Sequence, residues 1–294
     1  MRDVAVVIPY FQRTVGVLRR SIDSVAAQTG VDPARIVVHV VDDCSPIPAG
    51  PEIEGMHTGL DIRLAKQATN AGPGASRNTG LGALDRDVEY VAFLDSDDIW
   101  MPDHLAMALQ GLQAGTFFFS NLFQLRASLP AFERAGRIPP EEHELIFGDC
   151  YRYCGSMLDQ IYTGNVIGTP TVVYRFKRHP TLRFDPRYRR AGEDYLMWSQ
   201  FAADGAEFVF RTTPSVRCGE GVNVYAGVEW GSSEFLQRTD NEIAYLRQAL
   251  VSFAISAETR RNVKSRVAKL RSEYWRTVLR LFVANTRRVI PFGR

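Results

Sequence analysis

The sequence predicts an α/β protein: a Rossmann-like, mostly parallel sheet flanked by helices and followed by a helical C-terminal extension. Three observations lead there. Short β-branched runs alternate with helical periodicities through the first half of the chain. Acidic and glycine-rich segments fall at the ends of those runs, where a parallel sheet gathers its ligand loops. From Glu234 onward the spacing is helical almost to the end.

Val4-Ala5-Val6-Val7-Ile8, closed by Pro9, reads as a strand buried on both faces. Val17, Leu18, Ile22 and Val25 recur at helical spacing, and Ile36 to Val41 forms a second buried strand that stops at Asp42-Asp43. A third strand fits Asp61 to Lys66, a glycine-rich connection leads into a helix from about Gly74 to Leu84, and Tyr90 to Leu94 makes a fourth strand. Alternation of this kind makes the connections crossovers and the sheet largely parallel. Beyond residue 120 the pattern loosens, and Ser128 to Glu144, rich in Pro, Arg and Glu, is expected as a surface excursion. A strand returns at Thr171 to Tyr174 and a helix at Glu193 to Ala203.

With 45% hydrophobic and 23% charged residues, the 294-residue chain has the composition of a globular protein, not of a disordered one. The overall charge of +2 conceals an asymmetry: residues 258–294 carry eleven Lys/Arg against two acids, so the remainder is net acidic. Cys44, Cys150, Cys154 and Cys218 show no CxxC pair and no disulfide density, which points to a reducing compartment. The N-terminus enters a strand without the succession of a signal peptide, and no apolar stretch is long enough to span a bilayer. A cytoplasmic protein that meets a membrane only from the surface, at the inner face, is expected.

Four segments can carry chemistry. In Asp95-Ser96-Asp97 two carboxylates two residues apart on an extended segment face the same way, and hard oxygen donors without nearby His or Cys suit Mg²⁺ or Mn²⁺. The plainer alternative is an acidic turn, with Asp98 capping a following helix. Asn70 to Gly80 offers glycines for close backbone approach and Arg77 for an anion, or else a glycine-rich helix cap. Asp42-Asp43 supplies acceptors for a base N–H or ribose hydroxyls, or a solvated Asx turn before Ser45-Pro46. Glu193-Asp194 opens a helix; it can complement the helix dipole or present a general base to a hydroxyl. Neither a Walker lysine pattern nor a dinucleotide glycine fingerprint is present.

Together and in this order, Val6-Val7-Ile8-Pro9-Tyr10, Val41 to Ser45, Asn70 to Gly80, Asp95-Ser96-Asp97-Asp98 with Trp100 and Pro102, and Gly192-Glu193-Asp194 with Trp198 resemble the family 2 glycosyltransferases. The resemblance implies a GT-A fold and inverting transfer from a nucleoside-diphosphate sugar, uridine favoured, to a saccharide hydroxyl, as in bacterial surface or exopolysaccharide synthesis. It implies residues 1–225 as catalytic domain, with a nucleotide-binding half to about 120 and an acceptor-binding half beyond, and 226–294 as a helical region. Asp97 would bind Mn²⁺ or Mg²⁺ with support from Asp95. Pro9, Tyr10, Asp42, Asp43, Asn70, Gly72, Arg77, Asp95 and Ser96 would line the donor site, and Asp194, with Glu193 second, would be the base.

One departure stands out. Relatives often carry a histidine that completes the metal site, where this chain has Arg217-Cys218-Gly219-Glu220-Gly221-Val222-Asn223. Cys218 or Glu220 could substitute; a buried, inert thiol in a flexible loop is the other possibility.

The last helix keeps Val263, Val267, Leu270, Tyr274, Val278 and Leu281 in register, with Trp275, Leu279 and Phe282 widening the stripe. Lys264, Lys269, Arg271, Arg276, Arg280, Arg287 and Arg288 supply charge. Such a helix suits an anionic membrane surface near a lipid-linked acceptor, or packs on the catalytic domain with solvated arginines. Nucleic acid is not expected, since no nucleic-acid module accompanies the charge. Two other functions compete with the transferase. A catalytically inactive sugar-nucleotide-binding scaffold is argued against by the intact acid pairs, and a nucleotidyltransferase by the missing lysine-containing loop.

Overall fold

The computed structural model describes residues 2–125, 127–135, 138–189, 191–221 and 232–289. In chain order its elements are β1 (Val4–Tyr10), α1 (Val17–Ala26), β2 (Ile36–Asp42), α2 (Gly50–Ile53), β3 (Asp61–Lys66), α3 (Pro73–Gly82), β4 (Tyr90–Phe93), β5 (Ile99–Trp100), α4 (His104–Gly111) and β6 (Phe117–Phe123). There follow α5 (Ala131–Ala135), β7 (Glu144–Phe147), β8 (Cys150–Arg152), α6 (Met157–Gly164), β9 (Val173–Arg175), α7 (Glu193–Ala203), β10 (Phe208–Arg217), α8 (Ser233–Ser252) and α9 (Ala257–Val289).

One sheet runs through the domain in the order β3-β2-β1-β4-β9-β6-β10-β8-β7, with β5 paired to β10. Its first half is the parallel sheet expected from the alternation: β1 lies between β2 and β4, with Val4 opposite Ile36 and Tyr90, and β3 adds to the outer side of β2. Every residue of β1 and β2 is buried, as their unbroken apolar runs require. The second half is mixed. β9 runs antiparallel between β4 and β6, β10 returns parallel to β6, and β8 and β7 close the edge antiparallel.

β6 escapes a periodicity reading because Phe117-Phe118-Phe119-Ser120-Asn121 neither alternates nor stays apolar. Asn121 tolerates burial because its amide nitrogen donates to Glu133 and to the Thr212 carbonyl while its oxygen accepts from Leu122 and Phe132. The stretch expected as a bare excursion is partly built into the domain: α5 buries Ala131 and Phe132. Asp98 caps no helix either, since Ile99-Trp100 pairs with β10 and α4 begins at His104.

Two core layers cover the sheet. On one face Val7, Phe93, Phe117 and Phe119 meet Trp198 and Phe201 of α7 and Leu246 of α8; on the other Val6, Ile8, Phe118 and Leu94 meet Leu18 and Ile22 of α1 and Leu105 of α4. Trp198 is fully buried among Phe93, Phe117 and Phe184.

The C-terminal helices join the first core. α9 packs on α8 and α6, burying Val263 and Val267, and Arg266 pairs with Glu242 of α8. Beyond that anchor Trp275, Leu279 and Phe282 are 59%, 63% and 67% exposed. The expected domain border at 225/226, residues Val222 and Asn223, and the side chains of Arg287 and Arg288 lie outside the described residues. Among the described residues no helix is long and apolar enough to cross a membrane.

Helix α3 approaches β1 closely because Gly80 has no side chain: a Cβ there would lie 2.5 Å from Val7 Cγ1. Gly80→Ala is expected to destabilise the protein by about 1–3 kcal/mol, read as a fall in Tm. The Val7→Ala background should restore part of it; an unchanged Tm in Gly80→Ala would contradict the packing.

Candidate functional site

The parallel strands end together. β1 and β2 finish with Tyr10 opposite Asp42, and the Asp43 N–H donates to the Tyr10 carbonyl at 2.9 Å. Pro9 and Tyr10 are buried within β1. Burial, with Glu52 and Asp42 nearby, pushes the Tyr10 phenol up to about 12.

The two aspartates after β2 hold different things. Asp42 accepts from the backbone N–H groups of Ser45 (2.8 Å) and Ala49 (3.0 Å) and so shapes the turn after the strand. Asp43 accepts from the Ala71 (2.7 Å) and Gly72 (2.8 Å) N–H groups, and its carbonyl accepts from the Asn70 side chain. Two N–H bonds to one carboxylate fix the loop that leads into α3. Gly72 sits there at φ +91, a conformation that favours glycine, beneath the Arg189 side chain, which donates to Asn70 Oδ1 at 2.7 Å.

Helix α3 then carries Arg77 inward. Its side chain is only 4% exposed and donates from Nη2 to Asp95 Oδ1 at 2.6 Å, while Nη1 lies 3.8 Å from Glu193 Oε1. The same helix presents Asn78 to Phe184 in a reciprocal pair, side-chain nitrogen to carbonyl (2.7 Å) and backbone N–H to side-chain oxygen (2.9 Å). Glycine at 74 admits Phe184 and Glu193 to the start of α3, where a Cβ would come within 3.2 Å and 3.4 Å of them.

Asp95 to Asp98 turn tightly after β4, the Asp98 N–H donating to the Asp95 carbonyl at 3.0 Å. Ser96 is buried and accepts from the Gln12 side chain at 3.0 Å. Asp95 keeps 32% of its side chain exposed. Asp97 accepts from the Gly221 N–H and Asp98 from the Gly219 N–H, both at 2.9 Å. Neither glycine tolerates a side chain, because a Cβ would fall 1.7 Å from the Asp97 carbonyl oxygen at position 219 and 2.3 Å from Asp97 Oδ2 at position 221. Burial and the charge of Asp95 push Asp97 up to about 6. Burial, with Asp95 and Asp97 beside it, pushes Asp98 higher than an ordinary carboxylate.

Burial, with the three aspartates beyond, pushes the Cys218 thiol up. Among the described residues no three His, Cys, Asp or Glu side chains converge as a metal cluster. Among the described residues of this turn, Asp95 and Asp97 are the carboxylates that could hold a hard cation together with waters and phosphate oxygens.

Glu193 and Asp194 head α7, entered through Gly192 at φ +95, where a Cβ would lie 2.1 Å from the Tyr245 ring of α8. Asp194 Oδ1 accepts from the Tyr195 N–H at 2.8 Å. Burial raises both carboxyls; Asp194 adds to the rise at Glu193, and Arg77 opposes it at both. A raised carboxylate beside a cleft is a competent general base near neutral pH.

Of the site residues expected from the sequence, Pro9, Tyr10, Asp42, Asp43, Asp95, Ser96 and Asp97 lie at or just beyond the ends of β1, β2 and β4, Asn70 and Gly72 on the loop after β3, Arg77 on α3, and Glu193 and Asp194 at the head of α7. The fasteners Gln12, Phe184 and Arg189 were not foreseen, whereas Asn78 lies within the Asn70–Gly80 segment and Gly219 and Gly221 within the loop that the sequence singled out.

A family model described as "Glycosyl transferase family 2" matches residues 5–134. The chain is 30% identical over 249 residues to the succinoglycan biosynthesis protein ExoW of Rhizobium meliloti, spanning 82% of this chain and 76% of that protein. It is also 30% identical over 224 residues to ExoO of the same organism, covering 69% of this chain and 56% of the other. Among solved structures, Staphylococcus aureus TarS 1–349 in complex with UDP-GlcNAc superposes with a TM-score of 0.64 at 17% identity, over 93% of this chain and 72% of that one. The likeness to TarS extends to the fold, a GT-A sheet with helices behind it. With the motif order, this sheet and a 30% identical relative covered over most of its length, the chain belongs to glycosyl transferase family 2.

Proposed function

We propose that the protein is an inverting, metal-dependent glycosyltransferase that moves a sugar from a UDP-sugar to a saccharide hydroxyl, in the assembly of a bacterial exopolysaccharide. One observation carries most of this reading: a single guanidinium, Arg77, reaches both the acidic turn after β4 and the acid pair at the head of α7. Donor-side carboxylates and a candidate base thus border one cleft. The relatives' succinoglycan biosynthesis and the UDP-GlcNAc held by TarS support the polymer and the uridine donor.

In this reading Asp97 and Asp95 would hold Mn²⁺ or Mg²⁺, whose charge would offset that of the leaving diphosphate. Asp43 and the Asn70–Gly72 loop form the nucleoside end of the cleft. Asp194, whose Oδ1 accepts from the Tyr195 N–H, takes the proton of the attacking hydroxyl, with Glu193 beside it. Asp97→Ala is expected to abolish the Mn²⁺-dependent part of the thermal shift given by UDP, and to lower transfer by about 100-fold or more. Normal turnover in that variant would refute the metal role.

Asp194→Asn should cut sugar transfer by about 10²–10⁴-fold while UDP binding persists. The sign of the pH dependence follows from burial. A neutral carboxyl cannot accept the proton, and both acids titrate above the ordinary range. On acidification the wild-type kcat should therefore fall at a higher pH than a solvated carboxylate would dictate; a limb at pH 4 would argue against this base.

The exposed Trp275, Leu279 and Phe282, with Arg271, Arg276 and Arg280 on the same stretch of α9, support peripheral attachment to an anionic bilayer where a lipid-linked acceptor would reside. The anchor of α9, Val263 and Val267, is separate from that surface. Trp275→Glu/Leu279→Glu should abolish sedimentation with phosphatidylglycerol vesicles and leave transfer to a soluble acceptor intact. Sedimentation equal to wild type would remove the membrane from the proposal.

A further inference from the structure

Building on the transferase reading above, we propose that Arg77 is a positioning residue that joins the two halves of the reaction centre, tying Asp95 on the donor side to Glu193 at the head of α7. The two carboxylates belong to segments nearly a hundred residues apart and have no hydrogen bond to each other. Among the described residues Arg77 is the one side chain ion-paired with both, at 2.6 Å and 3.8 Å.

Its own position is fixed from several sides. The guanidinium lies over the Phe184 ring, 5.2 Å from its centroid, and Phe184 is held by the reciprocal pair with Asn78 one residue along α3. Gly74 lets the head of α7 close against the same helix. A guanidinium cannot shed its proton, so a desolvated one must stay beside carboxylates. Among the described residues Nε and Nη1 find no hydrogen-bond acceptor, and the side chain is 4% exposed. Arg77 therefore sets the spacing between the metal-side carboxylate and the acid pair of α7, and the nucleotide is left to the outer loops. The charged and titratable groups facing Glu193 are Arg77 from α3, Asp95 beyond β4 and Asp194 beside it on α7, with Tyr245 of α8 against Gly192.

The full-length chain with Arg77→Gln and Arg77→Lys tests this. Arg77→Gln should lower kcat by about 100-fold with the donor KM changed less than about threefold, and the UDP–Mn²⁺ thermal shift should persist. Its acid limb should move to higher pH, because the base loses a cation. Arg77→Lys, which keeps the charge without the fork, should recover part of kcat and part of the limb. A large rise in KM with kcat retained would make Arg77 a nucleotide contact, and a fall in kcat with an unmoved limb would reduce it to a packing residue; either overturns the proposal. If Arg77→Gln does not fold, Arg77→Lys alone carries the same comparisons. A readout independent of turnover is the ¹³C carboxyl titration of Glu193, assigned by its loss in Glu193→Gln. An upward shift in either Arg77 variant supports the tie and an unmoved titration overturns it, even in a wild-type chain inert toward every UDP-sugar, an outcome that would sink only the transferase reading.

Discussion

A buried guanidinium among carboxylates is the constraint on which this structure turns. Arg77 is 4% exposed, and Asp95, Glu193 and Asp194 sustain its charge. Removing one partner from a buried pair generally costs about 3–5 kcal/mol, since the charge left behind has neither water nor a counterion. The elements that carry these groups, α3, the turn after β4 and the head of α7, are thereby held to a common geometry.

The sheet makes that convergence available. Parallel β2, β1 and β4 deliver Asp42, Asp43 and Asp95 to one edge, where backbone N–H groups satisfy Asp42 and Asp43 and the Arg77 side chain pairs with Asp95. Antiparallel β9, inserted between β4 and β6, returns the chain so that the segment after it passes Phe184 and reaches Gly192 over the same edge. The acid pair comes from the second half of the molecule, yet it meets a helix from the first. Glycines enforce the closeness: Gly74 and Gly192 admit neighbours that a Cβ would exclude, and Gly219 and Gly221 let a strap lie on Asp97.

Burial first, and the neighbouring aspartates second, push the Asp97 and Asp98 carboxyls up. The strap from β10 holds the turn meanwhile with two N–H groups. At the far side, α9 separates two roles along its length, an anchored first half within the core and a second half that leaves Trp275 and Leu279 to solvent.

Sequence alone determined the parallel half of the sheet, the helices at 193–203 and beyond 233, and the segments that carry the site, because buried parallel strands are continuous β-branched runs and ligand loops must follow them. It also ordered those segments as family 2 glycosyltransferases do. Tertiary structure alone decided what each polar group touches. Arg77 reads in sequence as an anion ligand and in space as a buried tie, since its partners lie 18 and 116 residues away and no local pattern encodes them. Strand β6 was hidden because buried Ser120 and Asn121 break its apolar run, and both hydrogen bonds of the Asn121 amide nitrogen go to non-local partners. The division of α9 was hidden as well: Val263 and Val267 are buried in the core, while Trp275, Leu279 and Phe282, which widen the same stripe in sequence, stand exposed.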